Sequence, residues 1–218
     1  MKTLKEQTNA KIQAGREANP SFMKNVDEII AKAKEFQQGD KAITIGKIAP
    51  DFVLPNPKGI LISLANLLTQ GPVVVTFYRG SWCPYCNIQL RALQARLGDI
   101  HALGAQLVAI SPQVPDDSLT SGEINNMDFI VLSDQDAHIA SQYGVAWKVP
   151  EFLLEHMKKD RKLDLEAINN GNASILPIPA TFVIDRDGTI TWRFVDVDYR
   201  TRSEPDDIIE ALQELSKK

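Results

Sequence analysis

The sequence predicts an α/β sandwich, with helices on both faces of a central mixed sheet and an N-terminal helical extension. Three observations lead to this fold: several short β-branched segments that look buried, one strand–helix–strand unit, and a late β-hairpin. The 218 residues suffice for one domain plus an extension. We place the extension at residues 1–42 and the domain at 43–218, with an insertion at about 145–172.

Two helices are expected in the extension. Residues 2–18 are rich in helix formers, and the segment 19–21 (Asn-Pro-Ser) interrupts them and can start a second helix. Apolar side chains from Phe22 to Phe36 then recur at helical spacing. Because this stripe needs cover, we expect helices within residues 2–38 to dock on the domain or on a second copy of the chain, as in a homodimer.

The domain begins with short extended segments around a turn at residues 56–59, and Ser63 can cap a short helix. The continuous apolar run Val73–Tyr78 predicts a central strand buried on both faces. An amphipathic helix up to about residue 100 and a second buried strand at 106–110 complete a βαβ unit. The remaining pattern predicts a strand at 128–132, a short helix at 136–143, a hairpin of 178–184 with 189–194, and a C-terminal helix at 204–215.

The strongest chemical signal is the C-x-x-C motif at the start of that helix. Cys83 and Cys86 are the two cysteines of the chain, with Pro84 and Tyr85 between them. Two cysteines so spaced can close a small disulfide ring, and the N–H groups and dipole of a helix start stabilise a thiolate. Proline suits the first helical position, where no backbone donor is needed. The motif therefore predicts a redox-active dithiol/disulfide.

Two other interpretations of the cysteines stay open. A structural zinc site needs about four ligands, whereas His101, His138 and His156 are scattered and form no ligand pair. The other interpretation is two inert, buried thiols. We expect neither a metal ion nor a cofactor at the redox dithiol.

Further residues are candidates for supporting roles. Trp82 is expected to shield the dithiol and to pack its loop, and Arg79 could steady a thiolate, although an exposed loop arginine is the commoner case. Arg200 and Arg202 could bring positive charge to the same place, although a solvated loop before the last helix is again commoner. Pro179 begins a strand about ninety residues after the dithiol.

The chain resembles the alkyl hydroperoxide reductase/thiol-specific antioxidant (AhpC/TSA, peroxiredoxin-like) family of the thioredoxin superfamily. The resemblance covers roughly residues 45–195, and the stretches that carry it are 49–52, 73–78, 132–134, 143–145, and 181–185 with Gly188. The sequence departs from the peroxiredoxin pattern at the motif itself. Arg79 stands at the family's proline position, Cys83 at its Thr/Ser position and Cys86 at that of the peroxide-reactive cysteine, while the family arginine would fall near Pro179.

The resemblance implies a thioredoxin-like fold and a thiol-dependent antioxidant enzyme. Cys86 would attack hydrogen peroxide or an organic hydroperoxide, Cys83 would resolve the product as a disulfide, and thioredoxin or another thiol donor would reduce it. In thioredoxin-like folds a cis-proline loop lies against the dithiol, so we expect Pro179 to be cis and close to the cysteines. The alternatives are a thiol–disulfide oxidoreductase in which Cys83 attacks protein disulfides, and a non-catalytic interaction protein.

Composition sets outer limits. The net charge of −4 gives no support to a nucleic-acid binder. No apolar run approaches the ~20 residues of a membrane span, and residues 1–7 have no apolar core of a signal peptide. We therefore expect a cytoplasmic protein that acts neither on nucleic acid nor in a membrane.

Overall fold

The computed structural model describes residues 2–35, 39–114 and 127–217. Its strands are β1 (Val53–Pro55), β2 (Leu61–Ser63), β3 (Val73–Phe77), β4 (Gln106–Ser111), β5 (Ile130–Ser133), β6 (Ala146–Lys148), β7 (Ile175–Pro177), β8 (Ala180–Ile184) and β9 (Ile190–Val195). Its helices are α1 (Leu4–Ala18), α2 (Pro20–Glu35), α3 (Leu64–Leu68), α4 (Pro84–Ala95), α5 (Leu97–Ala102), α6 (His138–Gln142), α7 (Glu151–Lys159), α8 (Leu165–Asn169) and α9 (Pro205–Leu215).

A five-stranded mixed sheet forms the centre of the domain, in the order β5-β4-β3-β8-β9. The pairs β3–β4 and β4–β5 are parallel, whereas β3–β8 and β8–β9 are antiparallel. Every residue of β3 and β8 is buried, so both faces of these strands are covered. The α/β sandwich, its central strand and the late hairpin are confirmed.

The smaller elements follow local signals. Gly59 donates its N–H to the carbonyl of Asn56 at 2.9 Å and closes the expected turn. Ser63 caps α3 by accepting from the N–H of Asn66 at 3.4 Å. The expected helix after the C-x-x-C is instead two helices, because the backbone of Arg96 leaves helical geometry (φ −112°, ψ 10°) between α4 and α5.

The segment at 145–172 contains more structure than its polarity suggests. It forms β6, α7 and α8, and β6 pairs antiparallel with β7, Trp147 lying opposite Leu176. Strands of three residues carry too few positions for an alternating pattern, so the sequence did not predict this pair.

The N-terminal helices dock on the domain, as expected. Asn19 separates α1 from α2 and accepts from the N–H of Phe22 at 3.1 Å. Val26, Ile30 and Ala33 of α2 belong to the same buried cluster as the sheet. Phe36, the last residue of the expected stripe, lies outside the described residues.

Two polar contacts fix the extension to the segment before α9. Asp27 on α2 accepts from Arg200 Nη1 at 2.7 Å. Glu204 accepts from the N–H groups of Leu4 and Lys5 at 3.0 and 2.6 Å, at the start of α1. We call residues 196–204 the arginine loop. The N-terminal extension contacts this loop at Arg200 and at Glu204.

None of the helices in the described ranges is both long and apolar enough to span a bilayer.

Candidate redox site

The dithiol lies where the central strand ends and α4 begins. Cys83 occupies the N-cap of α4, Pro84 the first helical position and Cys86 the third. Both cysteines are free thiols and both are fully buried. The strand–loop–helix arrangement brings the sulfurs to the N-terminal end of a helix, where unpaired N–H groups and the dipole favour negative charge.

Hydrogen bonds from neighbours on both sides hold the loop before Cys83. Gln113 Oε1 accepts from the N–H and the hydroxyl of Ser81 at 2.9 and 3.0 Å, and Asn87 Nδ2 donates to the carbonyl of Ser81 at 2.7 Å. Gly80 has φ +143°, and a Cβ there would collide with the indole of Trp82. Glycine is therefore required at this position for the tryptophan to cover the loop.

Arg202 supplies a guanidinium group directly to one sulfur. Its Nη2 lies 3.0 Å from Cys86 Sγ, and its Nη1 donates to the carbonyl of Tyr199 at 2.7 Å. The side chain is buried. The solvated loop that the sequence favoured is therefore wrong for Arg202, and a positive charge reaches the dithiol from the C-terminal part of the chain.

Arg79 is the second cation at the dithiol. It is buried, it is in hydrogen-bond contact with Cys83, and its Cζ lies 4.2 Å from the ring centre of Tyr199 and 5.0 Å from that of Trp82. The exposed loop arginine that the sequence favoured is wrong here too. The two aromatic rings shield the guanidinium from water and stabilise it by cation–π contact.

Arg200 has a structural role instead. It is buried against Asp198, with Nε and Nη2 at 2.8 and 2.9 Å from the two carboxylate oxygens, and its third contact is with Asp27. Arg200 therefore orders the arginine loop, whereas Arg202 contacts the dithiol.

These charges and the shared proton shift the pKa values of the two thiols in opposite directions. Burial alone would raise the pKa of Cys83, but the hydrogen bond from the Cys86 thiol and the charges of Arg79 and Arg202 lower that pKa well below its usual value. Burial, together with the proton shared with Cys83 and the negative charge on it, holds the pKa of Cys86 well above its usual value. Of the two thiols, Cys83 therefore ionises first and Cys86 keeps its proton longer.

Pro179 differs from its expected conformation. The Ile178–Pro179 bond is trans. Ile178 donates to the carbonyl of Val145 at 2.9 Å, and the carbonyl of Pro179 accepts from Asp196 at 3.1 Å, so the chain runs extended from β7 into β8. Proline fits because it stands just before the strand, where its missing N–H costs no ladder bond. The expected cis-proline is wrong.

Tyr85 lies between the two cysteines, in the first turn of α4. It is buried, and its ring meets that of Tyr199 edge to face with centroids 6.0 Å apart. Burial raises its pKa to about 12, so its hydroxyl is neutral at physiological pH. Tyr85 thus joins Trp82 and Tyr199 in an aromatic cover beside the dithiol.

The sequence analysis missed a buried polar chain behind the cysteines. Thr76 and Thr181 share a hydrogen bond of 3.0 Å across β3 and β8; Gln89 of α4 donates to Thr76 at 3.1 Å and Ser203 to Thr181 at 3.3 Å. The chain thus connects the dithiol helix with the residue after Arg202. The available signal was one threonine in each of two otherwise apolar strands, since a buried polar side chain needs a partner.

The surroundings of the cysteines favour a redox dithiol over a zinc site or a pair of inert thiols. In the described part of the chain no three potential metal-ligating side chains form a group around them. Inert buried thiols would lie in apolar surroundings, whereas two guanidinium groups approach these sulfurs.

Comparisons with known proteins identify the family of the chain. Residues 45–193, more than half of the chain, match the profile of the AhpC/TSA family. Peroxiredoxin Bcp of Escherichia coli strain K12 is 27% identical over 169 residues, which cover 78% of this chain and 95% of that protein.

Solved structures support the fold. Peroxidoxin BcpB from Mycobacterium tuberculosis superposes with a TM-score of 0.61 at 22% identity, over 79% of this chain and 98% of that one. The reduced 2-Cys peroxiredoxin of Plasmodium vivax gives a TM-score of 0.59 at 19% identity, over 80% of this chain and 83% of that one. The chain therefore belongs to the AhpC/TSA family and is a thiol-dependent oxidoreductase of the peroxiredoxin kind.

Proposed function

We propose that this protein reduces peroxides at the Cys83–Cys86 dithiol, with Cys86 attacking and Cys83 resolving. The observation that carries the assignment is the 3.0 Å contact between Arg202 Nη2 and Cys86 Sγ. A guanidinium at that distance stabilises negative charge on the attacking sulfur, and the same fork of N–H groups can polarise a peroxide bound beside it.

The reaction follows from the shared proton. The Cys86 thiol gives its proton to the Cys83 thiolate, and the Cys86 sulfur bonds to the terminal peroxide oxygen. The O–O bond breaks, both of its electrons leave with the departing oxygen, and that oxygen takes a proton to become water or an alcohol. Cys86 is then a sulfenic acid.

Cys83 completes the oxidative half of the cycle. Its sulfur attacks the sulfur of the Cys86 sulfenic acid, hydroxide leaves and is protonated to water, and the disulfide forms. Two electrons from an external thiol donor, thioredoxin or a small thiol, restore the dithiol. The burial of both sulfurs favours a small oxidant over a folded protein in the first step.

The second candidate is thiol–disulfide exchange, in which Cys83 attacks a substrate disulfide and Cys86 resolves. The lowered pKa of Cys83 favours this function, because the thiolate is the nucleophile. The full burial of Cys83 opposes it, because a protein disulfide must reach the sulfur.

Single serine variants separate the two functions. In stopped-flow experiments with hydrogen peroxide, C83S should keep one rapid turnover and stop at the sulfenic acid, whereas C86S should lose the reaction. Trapping of a mixed disulfide by C86S with a protein substrate would support the second function. Loss of the peroxide reaction in C83S alone would assign the attack to Cys83.

A further inference from the structure

The two cysteines and the two arginines that contact them form one buried, charged group. We propose that the arginines stabilise the reduced dithiol over the disulfide, so that a small monothiol suffices as the electron donor that restores it. As an account of how the peroxidase is restored, the inference rests on the proposed function. Its basis is the balance of charge at the sulfurs, which differs between the two redox states.

Arg202 depends on the dithiol for negative charge. Besides its 3.0 Å contact with Cys86 Sγ, it donates to two backbone carbonyls of the arginine loop, which are neutral acceptors. Asp198, the buried carboxylate of the same loop, is paired with Arg200 at 2.8 Å. In the described ranges Arg202 therefore has no carboxylate as an ion-pair partner.

Arg79 shows the same dependence. It is buried and in hydrogen-bond contact with Cys83, and its other close neighbours are the rings of Trp82 and Tyr199. Within the part of the chain that the structure describes, Arg79 too forms no ion pair with a carboxylate. Two positive charges thus lie beside a dithiol that supplies one negative charge once Cys83 has lost its proton.

Oxidation removes that negative charge. A disulfide is neutral and has no proton to lose, so both buried guanidinium groups lose their anionic partner when it forms. Buried charges without a partner are strongly destabilising. The lowered pKa of Cys83 reflects the same attraction, acting on the thiolate. The reduced state is therefore favoured, and the disulfide is a stronger oxidant than the same motif would be without the arginines.

This preference bears on the choice of electron donor. A donor thiolate attacks the sulfur of Cys86, the S–S bond breaks, and Cys83 leaves as a thiolate. In an ordinary C-x-x-C the freed cysteine closes the ring again, because it is held close to the mixed disulfide. Here Arg79 and Arg202 stabilise the Cys83 thiolate, which makes it a better leaving group and a weaker nucleophile for ring closure.

A second donor molecule completes the reduction. Its thiolate attacks the donor sulfur of the mixed disulfide, and Cys86 leaves and takes a proton. Two donor thiols are thereby oxidised to one donor disulfide, and their two electrons restore the dithiol. Of their two protons, one is bound by Cys86 and the other is released to water.

The burial of the sulfurs also favours a small donor. Both cysteines are 0% exposed, and the aromatic cover of Trp82, Tyr85 and Tyr199 lies beside them. A folded donor protein has to bring its own cysteine into bonding distance of a buried sulfur. A monothiol of tripeptide size needs a much smaller opening for the same contact.

Redox equilibria with glutathione test the inference without any peroxide. The disulfide is formed with diamide and equilibrated in mixtures of reduced and oxidised glutathione, and the free thiols are alkylated and counted by mass spectrometry. R202Q should shift the equilibrium toward the disulfide by about 10- to 100-fold, the effect of losing one hydrogen bond to a charged group. R202K keeps the charge and should retain most of the preference for the dithiol. R186Q, at an exposed turn, should match the unaltered protein.

Unfolding in urea gives a second measurement, which needs no substitution. A disulfide usually stabilises a folded chain. Here the reduced protein should be more stable than the oxidised one, because the thiolate partner of the arginines exists only in the reduced form. Greater stability of the oxidised form would overturn the inference, as would equal glutathione equilibria in the unaltered protein and R202Q.

These outcomes are distinct from those of the proposed peroxidase. An arginine-dependent equilibrium in a protein that does not react with hydrogen peroxide would support the charge argument and refute the peroxidase. A protein that hydrogen peroxide oxidises rapidly, but that millimolar glutathione leaves as the disulfide, would keep the peroxidase and refute this inference.

Discussion

At the scale of single residues, two arginines distant in sequence decide the state of the dithiol. Arg79 follows the central strand and Arg202 precedes the last helix, and both are buried beside the sulfurs. Burial of a thiol by itself disfavours the thiolate. At Cys83 the two cations and the hydrogen bond from Cys86 outweigh this effect of burial, because Coulombic attraction is strong where water is excluded.

The first prediction concerns pH. Absorbance at 240 nm of the reduced protein should show one thiolate that persists as the pH falls below the ~8.5 of an ordinary cysteine, and a second that forms only above it. C86S should keep the ionisation at lower pH and C83S should lose it, because the lowered pKa belongs to Cys83. Two overlapping ionisations near the ordinary value would contradict the electrostatic argument.

The second prediction concerns Arg202. R202Q removes the cation from Cys86 but keeps a donor of similar size, so the rate constant with hydrogen peroxide should fall by about 10²–10³, the usual effect of losing one preorganised donor. R186Q, at an exposed hairpin turn, has the same change of charge and serves as the control. Equal stopped-flow rates in the two variants would show that Arg202 has no part in the attack.

At the scale of elements, the N-terminal helices hold the arginine loop. Asp27 on α2 bonds both Arg200 and Arg16, at 2.7 and 3.1 Å, and Glu204 accepts from the start of α1. Burial alone would raise the pKa of Asp27, but the hydrogen bonds and charges of Arg200 and Arg16 together lower it, so the carboxylate is charged at neutral pH. Because Arg202 is two residues beyond Arg200, we expect this contact to help position the Arg202 guanidinium at the dithiol.

The third prediction tests that contact. D27N should slow the peroxide reaction several-fold and raise the pKa of the early thiol step, and should cost about 1.5–3 kcal/mol of stability, the range for a charged hydrogen bond. E28Q is the control, since Glu28 on the same helix forms an exposed ion pair with Lys24. A loss of stability with an unchanged thiol titration would mean that Asp27 anchors the helix without positioning Arg202.

At the scale of the whole molecule, the extension and the sheet share one hydrophobic core. Ile30 of α2 is 5% exposed and belongs to the same cluster as β3 and β8. Removal of a buried isoleucine side chain leaves a cavity as well as lost transfer free energy. The helices should therefore unfold together with the domain.

The fourth prediction follows. I30A should lower the free energy of unfolding in urea by about 2–5 kcal/mol, whereas I45A, at a residue 57% exposed, should have little effect. Circular dichroism and tryptophan fluorescence should report a single transition in both variants. Separate transitions, with rapid proteolytic removal of residues 1–38, would show that the extension folds independently.

The sequence by itself determined the features that depend on neighbouring residues. The β-branched run at 73–78 predicted the central strand, the short turn at 186–188 predicted the hairpin of β8 and β9, and the C-x-x-C at a helix start predicted the dithiol. Strand propensity, turn chemistry and capping act over a few positions, so they can be recognised in a linear pattern.

Only the tertiary structure decided which charges and polar groups meet at the sulfurs. Arg202 is 116 residues from Cys86, and Thr76 is 105 residues from Thr181, yet each pair is in contact. The same holds for the trans bond before Pro179, which is set by hydrogen bonds of the adjoining segment to Val145 and Asp196. A lone arginine in a polar loop looks solvated in a linear sequence; its burial depends on an acceptor or anion that the folded chain brings to it from far away.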